Sequence, residues 1–467
     1  MPGLRFLFTT LQHVESEFYG RVGEGLRARG HDVFHVTYSR RAARMLQEAG
    51  IHAICLADRL ARLDVDAATV EREVERIPRD YETSTLRDIY RTDHTCNGRP
   101  EAESVERTVR HVLAIEEIFD ELAPDVVVPE IGNEMLRTVA HLVALRRAVP
   151  VLFLNYTIFP RPLRVTVDRP NARLLEGPAP PIDAAQRAEV ERFAAEFIAR
   201  DAPIRGYREA RVTAHRARIL IRHVTVKLLD DRDNPYLQPL HWLAGRVREV
   251  VAARAARRYY SGRRPGRRYV YFPLHVTDDY KIKRVIPHCM DQAAIIEQVA
   301  RALPHGYDLV TKEHPMSVGR TRLALLRRLR RMGNVRVVSP RTSSHDLISG
   351  ASAVVVISST VGLEALLHRK AVLTLGEPFY SGFGATLDAV SFAEIRRLVP
   401  YVLEWHPDPD LVDRLLYAGI RSGRAGAPVL VDRSGENAEL LAASIDEAAR
   451  AAAAVPKVGA SPLVPSK

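Results

Sequence analysis

Cysteine is scarce: Cys55, Cys96 and Cys289 lie far apart, odd in number and without a CxxC pair, which excludes a disulfide framework and a cysteine zinc cluster and predicts reduced thiols in a cytosolic compartment. No uninterrupted apolar run reaches the roughly 18 residues a membrane span needs. The opening MPGLRFLFTTLQHVESEF has too short an apolar run for a signal peptide, so the chain is expected to be cytoplasmic and not to cross or leave the membrane by itself. No GxGxxG, P-loop lysine motif or GxSxG occurs, which disfavours nicotinamide enzymes, P-loop kinases and α/β-hydrolases. Lysine is also rare, with seven against 61 arginines.

What is present fits a globular enzyme. The 467 residues suggest two to four domains, and 46% hydrophobic with 27% charged residues excludes a wholly disordered chain or a polytopic membrane protein. The net charge of +11 invites a nucleic-acid reading, but the arginine-for-lysine bias looks like codon composition and the usual recognition motifs are missing, so no nucleic-acid partner is expected.

Short apolar runs alternate with amphipathic stretches from Leu4 onward: LRFLFTT, a helical pattern stopped by Gly30, DVFHVTY, a second helix ending at Gly50, then IHAICLA. Strands separated by helices of about 10 to 15 residues predict a parallel sheet covered on both faces. PDVVVPE and VPVLFLNY resume the pattern, which sets a first Rossmann-like domain at 1–165. Residues 166–266 read as a helical insertion or connector. A second parallel unit, 267–430, is marked by YVYFPLHV, YDLVTKEH, NVRVVS, ASAVVVIS and KAVLTLGE. A last helix and a Pro/Ser-rich tail expected to be disordered make up 431–467. The fold class is therefore α/β, with two doubly wound domains facing a cleft.

Ligands of open α/β sheets bind beyond the carboxyl ends of the strands, so the residues after each apolar run are the ones to inspect. Lys312 and His314 alternate with Glu313 at one such end, on the same side of the chain and stopped by Pro315, a pair suited to a phosphate. One βα unit later an apolar strand runs into Ser358, Ser359 and Thr360. Hydroxyls and free N–H groups at a helix start form an anion site, and Gly362 in the first turn is expected to let a ligand approach. His275 and the acids Asp278 and Asp279 follow the unit's first strand and could hydrogen-bond a sugar or nucleotide. In the first domain Glu130 ends a strand and is the best-placed general base across the cleft, with His13 a candidate on the acceptor side. Each of these also has a plainer reading as a capping or solvated side chain.

Other groups were weighed against these. Asp64-Val65-Asp66 matches a DxD metal motif but lies in a helical stretch, and 230–234 lacks the glycine and closing glutamate of an EF-hand loop, so no metal site is assigned. Arg-rich 254–268, with Tyr259 and Tyr260, and the amphipathic 211–229 suit an anionic lipid surface, or else an exposed linker and a core helix.

With Lys312-Glu313-His314-Pro315, Ser358 through Leu366 and Gly376-Glu377-Pro378-Phe379-Tyr380, the sequence resembles bacterial capsule polysaccharide biosynthesis proteins, the family of capsular Kdo transferases. The HP and Ser-Ser-Thr elements are also similar to those of bacterial sialyltransferases. The resemblance covers about 269–380 and implies a GT-B fold holding a CMP-activated acidic sugar, with His314, Ser358, Ser359 and Thr360 against the donor phosphate. Glu364 would lie near the ribose by wider analogy. The implied activity is that of a metal-independent glycosyltransferase with a nucleotide-sugar co-substrate and no other cofactor. It would act on a saccharide or lipid-linked acceptor at the anionic inner-membrane surface. CDP-glycerol-type glycerophosphotransferases, which look similar around their own HP and Ser motifs, nucleotide-sugar epimerases of this fold and a non-catalytic polysaccharide-binding scaffold are the alternatives.

Overall fold

The computed structural model describes residues 3–200, 214–276 and 278–454, and the tail read as disordered lies outside them. Strands β1 (Arg5–Thr10), β2 (Asp32–Thr37), β3 (His52–Cys55) and β4 (Val126–Pro129) form a parallel sheet in the order β3-β2-β1-β4. Next to β4, β5 (Leu152–Tyr156) pairs antiparallel with β6 (Leu163–Val167). The link of six residues between them, with Pro160 and Pro162, is too short for a crossover helix, so the chain doubles back. The first unit thus reaches Val167, slightly past the expected boundary.

The second sheet joins β7 (Arg268–Pro273), β8 (Tyr307–Lys312), β9 (Val335–Val338), β10 (Ala353–Val356), β11 (Val372–Thr374) and β12 (Leu387–Asp388), all parallel, in the order β12-β11-β10-β7-β8-β9. Counted from its own first strand this is the 3-2-1-4-5-6 doubly wound order, whose switch point lies between β7 and β10. Both sheets are buried on two faces, which explains strands that are apolar at nearly every position. In β1, Phe6 and Phe8 enter one core while Leu7 enters another. Val270 and Phe272 of β7 likewise face away from Tyr271. Two such units face each other across a crevice, the α/β arrangement expected of the GT-B type.

The stretch read as a separate connector is instead divided between the units. Helix Ala184–Ala199, started by an Asp183 capping box, is tied to the second unit by Arg187, which donates to Asp410 at 2.7 Å and Asp413 at 2.8 Å. Residues after helix Ala214–Leu229 are tied to the first: Ser39 Oγ donates to Asp231 at 2.5 Å, Asn234 Nδ2 to the Leu11 carbonyl at 3.0 Å, and Gln12 Nε2 to the Tyr236 carbonyl at 3.1 Å. Asp66 of the DxD pair caps helix Ala67–Asp80 by accepting from Thr69 N at 2.8 Å.

The last helix, Gly435–Ala454, returns to the first unit. Its Leu441, Ala442 and Ile445 complete the core around Phe6 and Phe8. It lies so close to helix His13–Arg27 that a Cβ on Gly25 would stand 2.8 Å from the Ala442 Cβ. Ile445 is fully buried, so Ile445→Ala is expected to lower the stability of the first unit by about 2–5 kcal/mol, read as a shift in its urea midpoint.

Candidate functional site

At the switch point of the second sheet, the residues that follow β7, β8 and β10 converge. The backbone N–H of Ser358 donates to His275 Nε2 at 3.1 Å, and Gln292 Oε1 accepts from the His275 N–H at 2.9 Å. Burial, helped by Lys281 and His314 nearby, pushes the His275 pKa down to about 3, so the ring is a neutral acceptor that clamps the β10 end to the β7 end. The Ser358 hydroxyl is sealed from solvent and has no partner in the protein. Ser359 caps helix Thr360–Leu367, its Oγ accepting from Val361 N at 3.2 Å. A buried hydroxyl without a partner at the positive end of a helix is a local arrangement suited to an anion.

Lys312 and His314 lie on the same side as expected, while Glu313 points away and accepts from the Tyr260 hydroxyl. His314 Nδ1 accepts from Met316 N at 3.2 Å, which leaves Nε2–H as its outward donor. Burial lowers its pKa, with Asp279 opposing. Lys312 is not held at the rim: it is buried, and its Nζ donates to the Thr342 carbonyl at 2.9 Å and Ser344 Oγ at 2.6 Å. Burial brings it down to about 8 and raises the half-buried Glu364 to about 7, each opposed by the charge of the other. The pair changes charge near neutral pH behind the anion site.

Two expectations for this unit are corrected. Gly362 serves packing, not ligand approach: a Cβ there would stand 2.1 Å from the Tyr380 hydroxyl, which donates to the Ser359 carbonyl. Asp278 does not face neutral hydroxyls. Its carboxylate pairs with Lys283 at 3.0 Å and Arg320 at 3.2 Å, and against the upward push of burial these cations hold its pKa below the usual range.

The segment after β7 also spans the crevice. Asn133 Nδ2 donates to the Asp278 carbonyl at 3.0 Å, Tyr280 Oη to Asn155 Oδ1 at 3.3 Å, and Arg284 to His141 Nδ1 at 2.7 Å. Its π-helical turn Lys281–Val285 buries Ile282 and leaves Lys281 and Arg284 half-buried. Burial lowers both, Arg284 to about 10, and Arg164 of β6 is pushed down to about 10 for the same reason. None of the three stood out in the sequence reading. The usable signal was lysine scarcity, since Lys281, Lys283 and Lys312 are three of only seven in the chain.

On the first unit, Glu130 closes β4 and accepts from the Tyr19 hydroxyl. Arg137 sits between Glu15 and Glu134, donating to Glu134 Oε2 at 2.9 Å, and Leu11 N donates to Glu15 at 2.8 Å. Burial raises Glu130 to about 7 although Arg137 opposes it, which is the range of a general base at neutral pH. His13 is placed differently from the acceptor-side expectation. Its ring is buried with both nitrogens unpartnered, edge-on to His223 of helix Ala214–Leu229, and burial lowers it to about 4. Among the described residues, no group of three or more His, Cys, Asp or Glu side chains is placed to hold a metal ion.

Residues 179–400, which contain every donor-side residue named above, match the family model for capsule polysaccharide biosynthesis protein. Glu130 and His13 lie outside the matched residues. Over 145 residues the chain is 29% identical to Protein FixF of Sinorhizobium fredii (strain NBRC 101917 / NGR234), covering 31% of this chain and 35% of that protein, so the chain spans about a third of this curated relative. Among solved structures it is similar to the β-Kdo 2,7 transferase KpsC of Thermosulfurimonas dismutans, at 18% identity and TM-score 0.33 over 69% of this chain and 87% of that one. It is also similar to the UDP-GlcNAc 2-epimerase of Neisseria meningitidis bound to UDP-GlcNAc, at 11% identity and TM-score 0.31 over 95% and 100%.

The site makes two measurable demands. The folded protein holds the Glu130 proton up to about pH 7, whereas the ordinary value is 4.5. Folding therefore takes up a proton between those values, and stability falls as pH rises through that window. Glu130→Gln should flatten that part of the profile of urea midpoint against pH. Gly362→Ala should cost about 1–3 kcal/mol by overpacking against Tyr380, seen in the same unfolding assay.

Proposed function

We propose that this protein is a glycosyltransferase of capsule polysaccharide biosynthesis that takes a nucleotide-activated sugar, Kdo-like and CMP-linked, and transfers the sugar to a saccharide or lipid-linked acceptor. The observation that carries the reading is the unpartnered Ser358 hydroxyl at the start of helix Thr360–Leu367, flanked by His275 and His314 at the sheet's switch point. This is where a doubly wound sheet receives a nucleotide phosphate.

In the transfer, the bond between the anomeric carbon and the phosphate oxygen breaks, and the leaving nucleotide keeps the electron pair. The growing negative charge falls where His314 Nε2–H and the Ser358 hydroxyl, at the positive end of the helix, can donate to it. Lys281 adds positive charge from the adjoining turn. The acceptor hydroxyl forms the new bond to the anomeric carbon and gives its proton to Glu130, whose loop reaches the second unit through Asn133. Fixed cations and N–H dipoles neutralise the leaving group in place of a metal ion.

Peripheral attachment to the anionic inner membrane, with the protein on the cytoplasmic side, belongs to the same proposal. No helix among the described residues is long and apolar enough to cross a membrane.

A panel of CMP-, CDP-, UDP- and GDP-linked donors, assayed for release of free nucleotide with and without acceptor, tests the reading. CMP release that depends on acceptor and survives excess EDTA is expected, and its restriction to another nucleotide or loss in EDTA would refute the corresponding part. His314→Ala should lower turnover by about 10²–10³ while leaving thermal unfolding unchanged, as loss of one transition-state donor does.

A further inference from the structure

Exposed large apolar side chains are scattered over the surface, and one group of them lies on two consecutive helices. Ile221, Leu228, Leu240, Leu243, Val247 and Val251 all belong to two helices, Ala214–Leu229 and Pro239–Ala256, and each is between 39% and 76% exposed. On the second helix the arrangement is regular. At 100° per residue Leu240, Leu243, Val247 and Val251 fall within an arc of about 80°, widened to about 100° by Ala244. The opposite side is in contact with the second unit: a Cβ on Gly319 would stand 2.2 Å from the Glu249 carbonyl oxygen and 3.2 Å from the Ala253 Cβ. One face of this helix is therefore packed, and the apolar face looks outward.

The surrounding charge identifies the occupant. Helix Ala214–Leu229 contains no acidic residue, and the single acid of Pro239–Ala256, Glu249, accepts from Arg246 at 2.6 Å on the packed side. Among the described residues the exposed charges of these helices are Arg248 beside the apolar arc, Arg254 within the carboxyl end of it, and Arg218 and Arg222 on the preceding helix. A second copy docked face to face would set these arginines against their own counterparts, a like-charge contact that works against a symmetric dimer. An apolar stripe rimmed by arginine matches the acyl and headgroup layers of an anionic bilayer.

The second half of the basic run 254–268 is otherwise engaged. Arg263 donates to the Tyr269 hydroxyl at 2.9 Å, Arg264 to the Gly333 carbonyl at 2.9 Å and Arg267 to Asp308 at 3.0 Å, while Arg268 stacks over Tyr307 at 4.4 Å. It lies along the amino ends of β7 and β8, away from the crevice.

We infer that the outward face of helix Pro239–Ala256, together with Ile221 and Leu228 of the preceding helix, is an interfacial membrane-docking surface for anionic lipid, lying in the headgroup layer with Arg218, Arg222, Arg248 and Arg254 on phosphates. This gives the membrane attachment proposed above a surface and does not depend on the donor chemistry. The full chain should co-sediment with equimolar phosphatidylglycerol and phosphatidylcholine vesicles and not with phosphatidylcholine alone. Leu243→Asp combined with Val247→Asp should reduce partitioning to the anionic vesicles about tenfold or more. Arg248→Glu should reduce it as well and weaken its dependence on salt. Nucleotide release with a soluble acceptor, measured on the same preparations, should match the unsubstituted chain, so a failed docking surface and a failed activity are read separately. Absence of binding to anionic vesicles, or equal binding by the double variant, overturns the inference. So does a loss of self-association in the double variant by sedimentation velocity, which would assign the face to a second copy.

Discussion

Everything at the crevice depends on the short bridge that follows β7. Asp278, Tyr280 and Arg284 each make a hydrogen bond to the first unit, and the turn that carries them places Lys281 beside His275 and His314. Without those bonds the anion site of the second sheet and the carboxylate of Glu130 would be features of two separate units. Buried cations are expensive unless something answers their charge. Arg164, Lys281 and Arg284 all have lowered pKa values because of burial, and the carboxylates among them are few. The cost of positive charge so placed is lowered by any anion that comes beside it.

The two carboxylates kept near neutrality have different surroundings and so suit different tasks. Glu130 is stabilised as a carboxylate by Tyr19 and Arg137 but raised by burial, just after β4 in the first unit. Glu364 is raised by the same cause and answered by Lys312, whose Nζ is already engaged by Thr342 and Ser344. The first arrangement leaves a carboxylate that can take a proton near neutral pH. The second couples a buried lysine at the end of β8 to a carboxylate on helix Thr360–Leu367.

The sequence disclosed the parts of this architecture that rest on local periodicity. Apolar runs buried on two faces separated by helices of regular length identified both parallel sheets, and the strand ends at Lys312, His314 and Ser358 to Thr360 did converge. What it concealed depends on contacts between distant residues. Gly362 is explained by Tyr380, a partner in another element, so its first-turn position read as ligand access. Lys281 and Arg284 sit in a π-helical turn, for which neither a helical nor a strand period exists to be recognised. His13 follows its strand as a ligand-binding residue would, yet a segment more than 200 residues later covers it. The helical region could be read as helices, but not as two pieces belonging to different units.

The return of helix Gly435–Ala454 to the first unit imposes an order on biosynthesis. Domains usually fold as they emerge, the amino-terminal one first. Here the core that Phe6 and Phe8 share with Phe18, Tyr19 and Val22 is not closed until Leu441 and Ile445 have left the ribosome, by which time the whole second sheet has been made. The unit that is translated first is therefore completed last, and the gap left for that helix is the apolar surface a chaperone would meet throughout elongation.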